Sequence, residues 1–394
     1  MPQSLAEAIS RVASLGQSVW LDALRRDWLA DGTLAGWVAE GVRGVTSNPT
    51  IFRAAFQGSS AYDAQITAAA DDGTLDADAL YDRLTLADIQ AACDILRPVW
   101  VATGGRDGWV SHEVDPALAD DAEGTVAEAE RLWRALDRTN AMIKIPATSA
   151  GLTAVRRSLA AGIPINVTLV FSVAQYEAVA DAYLTALEDR LATGLPLAPV
   201  ASVASLFISR VDAALTDRLR DGRSGAASNQ GRGAEQAAER AEALAEAATL
   251  ANARQAYARF RALFGGPRFA RLARRGAVPQ RLLFASTAVK RADRPALTFV
   301  APLVGPDTAT TLPPATLAAL ADEPRWTAAL TAPTGSGDPL AALRDHGIDL
   351  EDVGQRLTLD GVAAFRSAHE AAVETLAGAL RARSATRPGA QSIR

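Results

Sequence analysis

The chain has 394 residues, 49% of them hydrophobic and 22% charged, and carries a formal net charge of −5 at pH 7. That acidic balance disfavours nucleic acid and anionic membrane as partners, and no run approaches the roughly 18 apolar residues of a membrane span. A single cysteine, Cys93, excludes an internal disulfide, and the scattered histidines His112, His346 and His369 supply no zinc ligand set.

No basic start leads into an apolar segment, so the expected location is the cytoplasm and the expected partner a small soluble molecule. Monomer and homodimer are both left open. An α/β barrel commonly exceeds 250 residues as one domain, and residues 1–394 are expected to form one.

In chain order, short β-rich runs alternate with helical stretches, the order of a mostly parallel sheet covered by helices. The predicted strands are 18–22, 43–48, 109–115, 142–147, 165–171, 200–208, 281–286 and 296–304. Eight such units close a (β/α)₈ TIM barrel, which is the α/β fold expected here. Residues 174–192 show helical spacing, with Tyr176, Val179, Tyr183 and Leu187 recurring at three and four residues. The connection 53–100 is expected to hold extra helices, and 211–265 to form a helical insertion containing a turn-rich loop at 221–233. A C-terminal helical extension over 313–382 and a frayed tail at 383–394 complete the chain.

The polar residues of the strands carry the functional signal. Of 40 basic residues only Lys144 and Lys290 are lysine; the other 38 are arginine. Arginine keeps its proton, whereas a desolvated lysine can become the neutral amine that attacks a carbonyl. Lys144 lies in "AMIKIPAT", where the two-residue strand period points it inward while Ile143 and Ile145 face the helices. Asp22 ends the first strand, Thr46 and Asn48 share a face at the second, and Ser111 and Glu113 end the third. Asn166 and Thr168 share the inner face of the fifth, while Val167 and Leu169 are expected to face the helices. Chemistry in such barrels gathers at this C-terminal face.

Structural roles compete at each position. Lys144 pairs with Asp22 or Glu113 as a purely structural ion pair, or it is a nucleophile. Two carboxylates and two amides arriving at the same end favour the nucleophile. Asp22 is either functional or the N-cap of a helix that starts at once. Asp115, before Pro116, reads as a cap, and His112, on the face opposite Glu113, reads as structural. "SRVD" (209–212) has the pattern of a capping box and sets Arg210 beside a helix N-terminus, an outline of a phosphate site. Ser286 and Lys290 follow the seventh strand, where barrels often hold phosphate.

The stretches "GVTSNPTIF", "VSHEVDP", "MIKIPAT", "INVTLVFS", "VASVASLFISRVD" and "GPDTATTLP" resemble the transaldolase family and occur in its order. The likeness covers about residues 18–380, with "ANARQAY" and "GIDLEDV" typical of longer bacterial members. It implies a class I Schiff-base enzyme of the pentose phosphate pathway that needs no cofactor and no metal. Its substrates would be sugar phosphates. By the resemblance, Lys144 forms the imine and Asp22 takes the C4 hydroxyl proton, while Glu113 and Thr168 hold the water of imine formation. Asn48, Asn166 and Ser205 would hold the hydroxyls of the bound three-carbon unit, and Arg210, Ser286 and Lys290 the phosphate. The chain departs from shorter relatives after the seventh strand, with "STAVK" in place of Ser-x-Arg, and at the loop 221–233. Two other readings share the pattern: an aldolase that releases free dihydroxyacetone, and a non-catalytic barrel that binds sugar phosphates.

Overall fold

The computed structural model describes residues 3–73, 76–198, 200–224, 232–291, 293–332 and 337–385. Eight strands run in chain order: β1 Gln17–Leu21, β2 Gly44–Thr46, β3 Trp109–Glu113, β4 Ala141–Pro146, β5 Ile165–Val170, β6 Ser202–Phe207, β7 Arg281–Ala285 and β8 Thr308–Leu312. Every neighbouring pair is parallel, and β8 pairs with β1 from Gln17↔Thr308 to Leu21↔Leu312, so the sheet closes. Helices link the strands, giving a (β/α)₈ barrel with additional helices.

Seven strands fall within a residue or two of their predicted runs, but the eighth does not. Residues 296–304, expected as a strand for their apolar content, form turns and the 3₁₀ segment Ala301–Leu303. Their Leu297, Phe299, Val300, Leu303 and Val304 are buried, but as packing for the helical layer. Pro295 and Pro302 bring no backbone donor to a ladder. The true eighth strand is the "TATTL" stretch, whose β-branched threonines suit a pleated surface although their polarity hid it.

Two local expectations also change. The helix expected to begin directly after Asp22 starts at Arg26, stops at Ala30, and resumes as Thr33–Glu40 after Gly32 at φ 85°. Asp22 therefore caps nothing. In "SRVD", Ser209 is already inside the helix Ser209–Ser224, and Asp212 pairs with Arg294 at 3.2 Å, so no capping box forms. The helical insertion consists of this helix and Arg232–Phe264; most of the loop predicted at 221–233 lies outside the described residues. The C-terminal helix Leu350–Ala385 continues into the predicted tail, where Arg383 reaches Asp63 at 2.6 Å. The rest of that tail, 386–394, lies outside the described residues.

Two apolar layers build the barrel. One joins the outer strand faces to the helices, and the other fills the interior with Trp20, Trp109, Met142, Val203, Leu283 and Ala309. Gly44 is required by that filling, since a Cβ there would lie 2.4 Å from the Trp20 ring. Below this layer, Arg281 donates to Asp107 at 2.8 Å and to Ser18 at 2.6 Å, and Ser18 donates to Asp107 at 2.8 Å. This buried triad plugs the N-terminal end of the barrel.

At the other end, β5 carries a bulge between Val167 and Val170, with Leu169 at φ 57°. The extra residue breaks the two-residue alternation. Leu169 consequently meets the C-terminal helix instead of the outer ring: a Cβ on Gly361 would lie 2.7 Å from its side chain. Thr358 of that helix donates to the Leu169 carbonyl at 3.2 Å. The C-terminal helix is thereby fastened to the rim of the barrel.

Candidate active site

Above the apolar filling the interior turns polar. A cavity of about 210 Å³ opens there, lined by Asp22, Asn48, Lys144, Thr168, Ser205, Arg210, Ser286 and Lys290, together with Thr46, Phe207, Thr311 and Phe365. Residues from six strand ends, from segments just after them and from the C-terminal helix converge on one volume.

Lys144 sits mid-strand on β4 and is 3% exposed. Its register partners are Glu113 on β3 and Asn166 on β5. The Nζ lies 3.4 Å from Glu113 Oε2 and donates to the Ser47 carbonyl at 3.2 Å. Ser47 is held in turn by its N–H and hydroxyl donating to the Ser111 carbonyl at 3.2 and 2.8 Å. The amine is thus positioned by a carboxylate on one strand and a fixed carbonyl on another.

Asn166 is fully buried and does not line the cavity. Its amide donates to Ser111 Oγ at 2.9 Å and accepts from Ser205 Oγ at 2.7 Å, tying three strands together beside Lys144. Asn48 accepts from the Ile51 N–H at 3.0 Å and so caps the helix Pro49–Gly58, leaving its own N–H groups free of that duty. Thr46 lies beside the Asp22 carboxylate and favours its ionised form. Thr168 Oγ1 and Thr311 Oγ1 have no hydrogen-bond partner, and Glu113 Oε2 has only the Lys144 amine opposite it.

Burial pushes the Asp22 and Glu113 carboxyls above the ordinary carboxylate range, with the Lys144 charge the foremost opposing influence on each. Raised carboxyl pKa values suit groups that must take up and return protons near neutral pH. Arg210 lies over the Phe207 ring at 5.5 Å and the Phe365 ring at 5.8 Å. Ser209 and Ser286 bring their hydroxyls to 3.1 Å, and the Ser209 N–H donates to the Ser286 carbonyl at 2.9 Å. This tie brings Ser286 to the start of the 16-residue helix that carries Arg210, and the helix dipole adds to the positive field there.

Asp115 caps the 3₁₀ turn Pro116–Leu118, accepting from the Ala117 N–H at 2.8 Å. His112 stands edge-on to Phe52 at 5.9 Å, and burial holds its pKa down to about 3, so it is neutral. A second recess, of about 470 Å³, shares Asn48 with the first and is lined by Glu113, His112, Asp76, Asp78 and Asp82. It contains no lysine, whereas Lys144 lines the smaller cavity. Among the described residues, no group of three or more His, Cys, Asp or Glu side chains is arranged to hold a metal ion.

Sequence reasoning missed three participants. The Ser47 carbonyl is a backbone atom and leaves no trace in residue types. Phe207 follows Ser205 in a run read only as apolar strand. Phe365 lies in a long amphipathic helix where any aromatic passes for core.

Fold and site together define an amine-centred barrel enzyme, with carboxylates beside a buried lysine and cations at the rim. A family model described as Transaldolase/Fructose-6-phosphate aldolase matches residues 19–376, and the chain belongs to that family. It is 42% identical over 375 residues to the transaldolase of Parafrankia sp. (strain EAN1pec), covering 94% of this chain and 98% of that protein. It is also 42% identical to the transaldolase of Thermobifida fusca (strain YX), over 96% of this chain and all of that protein, and 43% identical to that of Thiobacillus denitrificans (strain ATCC 25259 / T1), over 91% and 97%.

Proposed function

We propose that the chain is a transaldolase, moving a dihydroxyacetone unit from a ketose phosphate to an aldose phosphate in the pentose phosphate pathway. One observation carries the reading: a buried lysine amine 3.4 Å from a carboxylate, in a cavity that also holds Asp22 and a cationic rim. The amine of Lys144 adds to the C2 carbonyl of fructose 6-phosphate or sedoheptulose 7-phosphate, and the adduct loses water to form an imine. Glu113, ion-paired with the amine, and Thr168, whose buried hydroxyl has no hydrogen-bond partner, would hold that water and move its protons. Asp22 takes the C4 hydroxyl proton, the C3–C4 bond breaks, and its electron pair moves into the imine to leave an enamine on Lys144. An aldose phosphate departs, the acceptor aldehyde adds to the enamine carbon, and Asp22 returns the proton.

Asn48 and Ser205 would fix the hydroxyls of the retained unit, with Asn166 orienting the Ser205 hydroxyl from behind the cavity wall. Arg210, Lys290 and Ser286 would bind phosphate. Among the described residues no helix is long and apolar enough to cross a membrane, and a cytoplasmic location fits sugar phosphate substrates. Purified protein given fructose 6-phosphate and erythrose 4-phosphate should make sedoheptulose 7-phosphate; no product would end this reading.

The family description also names an aldolase, which gives a second reading: release of free dihydroxyacetone. Accumulation of dihydroxyacetone at the full turnover rate without acceptor would favour it. Borohydride added with fructose 6-phosphate separates both from a binding-only barrel, which would leave Lys144 unmodified.

A further inference from the structure

We propose that Phe365 is a specificity-determining cover: it keeps the three-carbon unit on Lys144 for transfer and keeps water from releasing it. The inference rests on the transaldolase reading and adds a residue that the strand motifs do not contain.

Phe365 comes from the C-terminal helix, lines the cavity, and is 3% exposed. Its ring centre is 5.8 Å from Lys144 Nζ and 5.8 Å from Arg210 Cζ, so one ring is shared by two of the cationic side chains of the site. The position is built from both sides. Gly361, one helical turn earlier, lets the helix approach Leu169 more closely than any side chain would allow, and the Leu169 backbone adopts a left-handed conformation to meet it. A phenyl ring brings no hydrogen-bonding group to a cavity whose wall also carries hydroxyls, an amide and charges. What it supplies is attraction for the two cations and exclusion of water.

Water is what separates transfer from release. Release requires a proton on the enamine carbon, giving the iminium. One water then adds at C2, its oxygen becomes the ketone oxygen, and the C–N bond to Lys144 breaks with the electron pair returning to nitrogen. Transfer spends no water until the acceptor is joined. A ring over the amine slows the first course and leaves the second open. Because Arg210 lies over the rings of both Phe207 and Phe365, the cover is held by the same guanidinium that would meet the phosphate of substrate.

The test compares wild type with Phe365→Ala and Phe365→Val. Each is given fructose 6-phosphate, alone and with erythrose 4-phosphate, and free dihydroxyacetone and sedoheptulose 7-phosphate are measured. The ratio of release to transfer should rise about tenfold for alanine and about threefold for valine, the range expected for loss of a desolvated cation–π and apolar contact. The borohydride adduct on Lys144 should persist in both variants. An unchanged ratio with the adduct intact overturns this inference alone. No adduct in wild type overturns the proposed function and this inference with it. If the alanine variant does not fold, the valine variant decides by the same ratio.

Discussion

Glu113 and Lys144 face one another across β3 and β4, 3.4 Å apart at their charged ends, with each side chain only 4% exposed. Replacing the lysine by arginine keeps a positive charge opposite Glu113 but removes an amine that can form an imine. Lys144→Arg should therefore remain folded, lose the borohydride adduct, and lose turnover by about 10⁴-fold or more, as measured by sedoheptulose 7-phosphate formation.

Asp22→Asn should trade activity for stability. Burial raises the folded-state pKa of Asp22 above its ordinary value of 3.8, so the ionised group destabilises the fold at neutral pH. The asparagine variant should be more stable by about 1 kcal/mol at pH 7, and the gain should shrink as pH falls through the folded pKa toward 3.8. Denaturant melts of both proteins across that range check the sign, and transfer should fall by about 10²- to 10⁴-fold.

His112 gives the opposite slope. Its folded pKa is depressed to about 3 by burial, so the unfolded chain binds a proton that the native state refuses. Stability from this group is present above about 6.5 and is lost as pH falls below it, at about 1.4 kcal/mol per pH unit. Against wild type, His112→Leu should flatten this limb of the stability curve by that amount and leave the neutral-pH rate within about twofold.

The plug below the site is a stability element. Asp107→Ala leaves Arg281, 7% exposed, without its carboxylate. The variant should lose about 3–5 kcal/mol in denaturant unfolding, because an unpaired buried charge remains. Its folded fraction should still form the Lys144 adduct.

Much of this was legible because strand alternation is a local property. Lys144, Glu113, Thr46 and Thr168 could be assigned to the barrel interior from their neighbours alone, and the cavity gathers the lysine with Asp22, Asn48, Ser205 and Arg210 around it. Where local pattern and long-range packing part company, the reading failed. The apolar stretch at 296–304 looked more like a strand than "TATTL", yet only the latter lies between β7 and β1. Leu169 obeys a bulge, not the alternation, and Phe365 owes its place to a helix docking about 200 residues away from Lys144 in the chain. Asp22 read as a possible cap because the delay of the next helix to Arg26 leaves no signature in composition.

The triad of Ser18, Asp107 and Arg281, with the Trp20 and Trp109 layer above it, fills the barrel floor, so on the proposed reading substrates cross the opposite rim. Departing and arriving aldehydes must take turns at that threshold. Alternating traffic of this kind makes the enzyme a two-stroke machine, whose double-reciprocal plots for donor and acceptor run parallel.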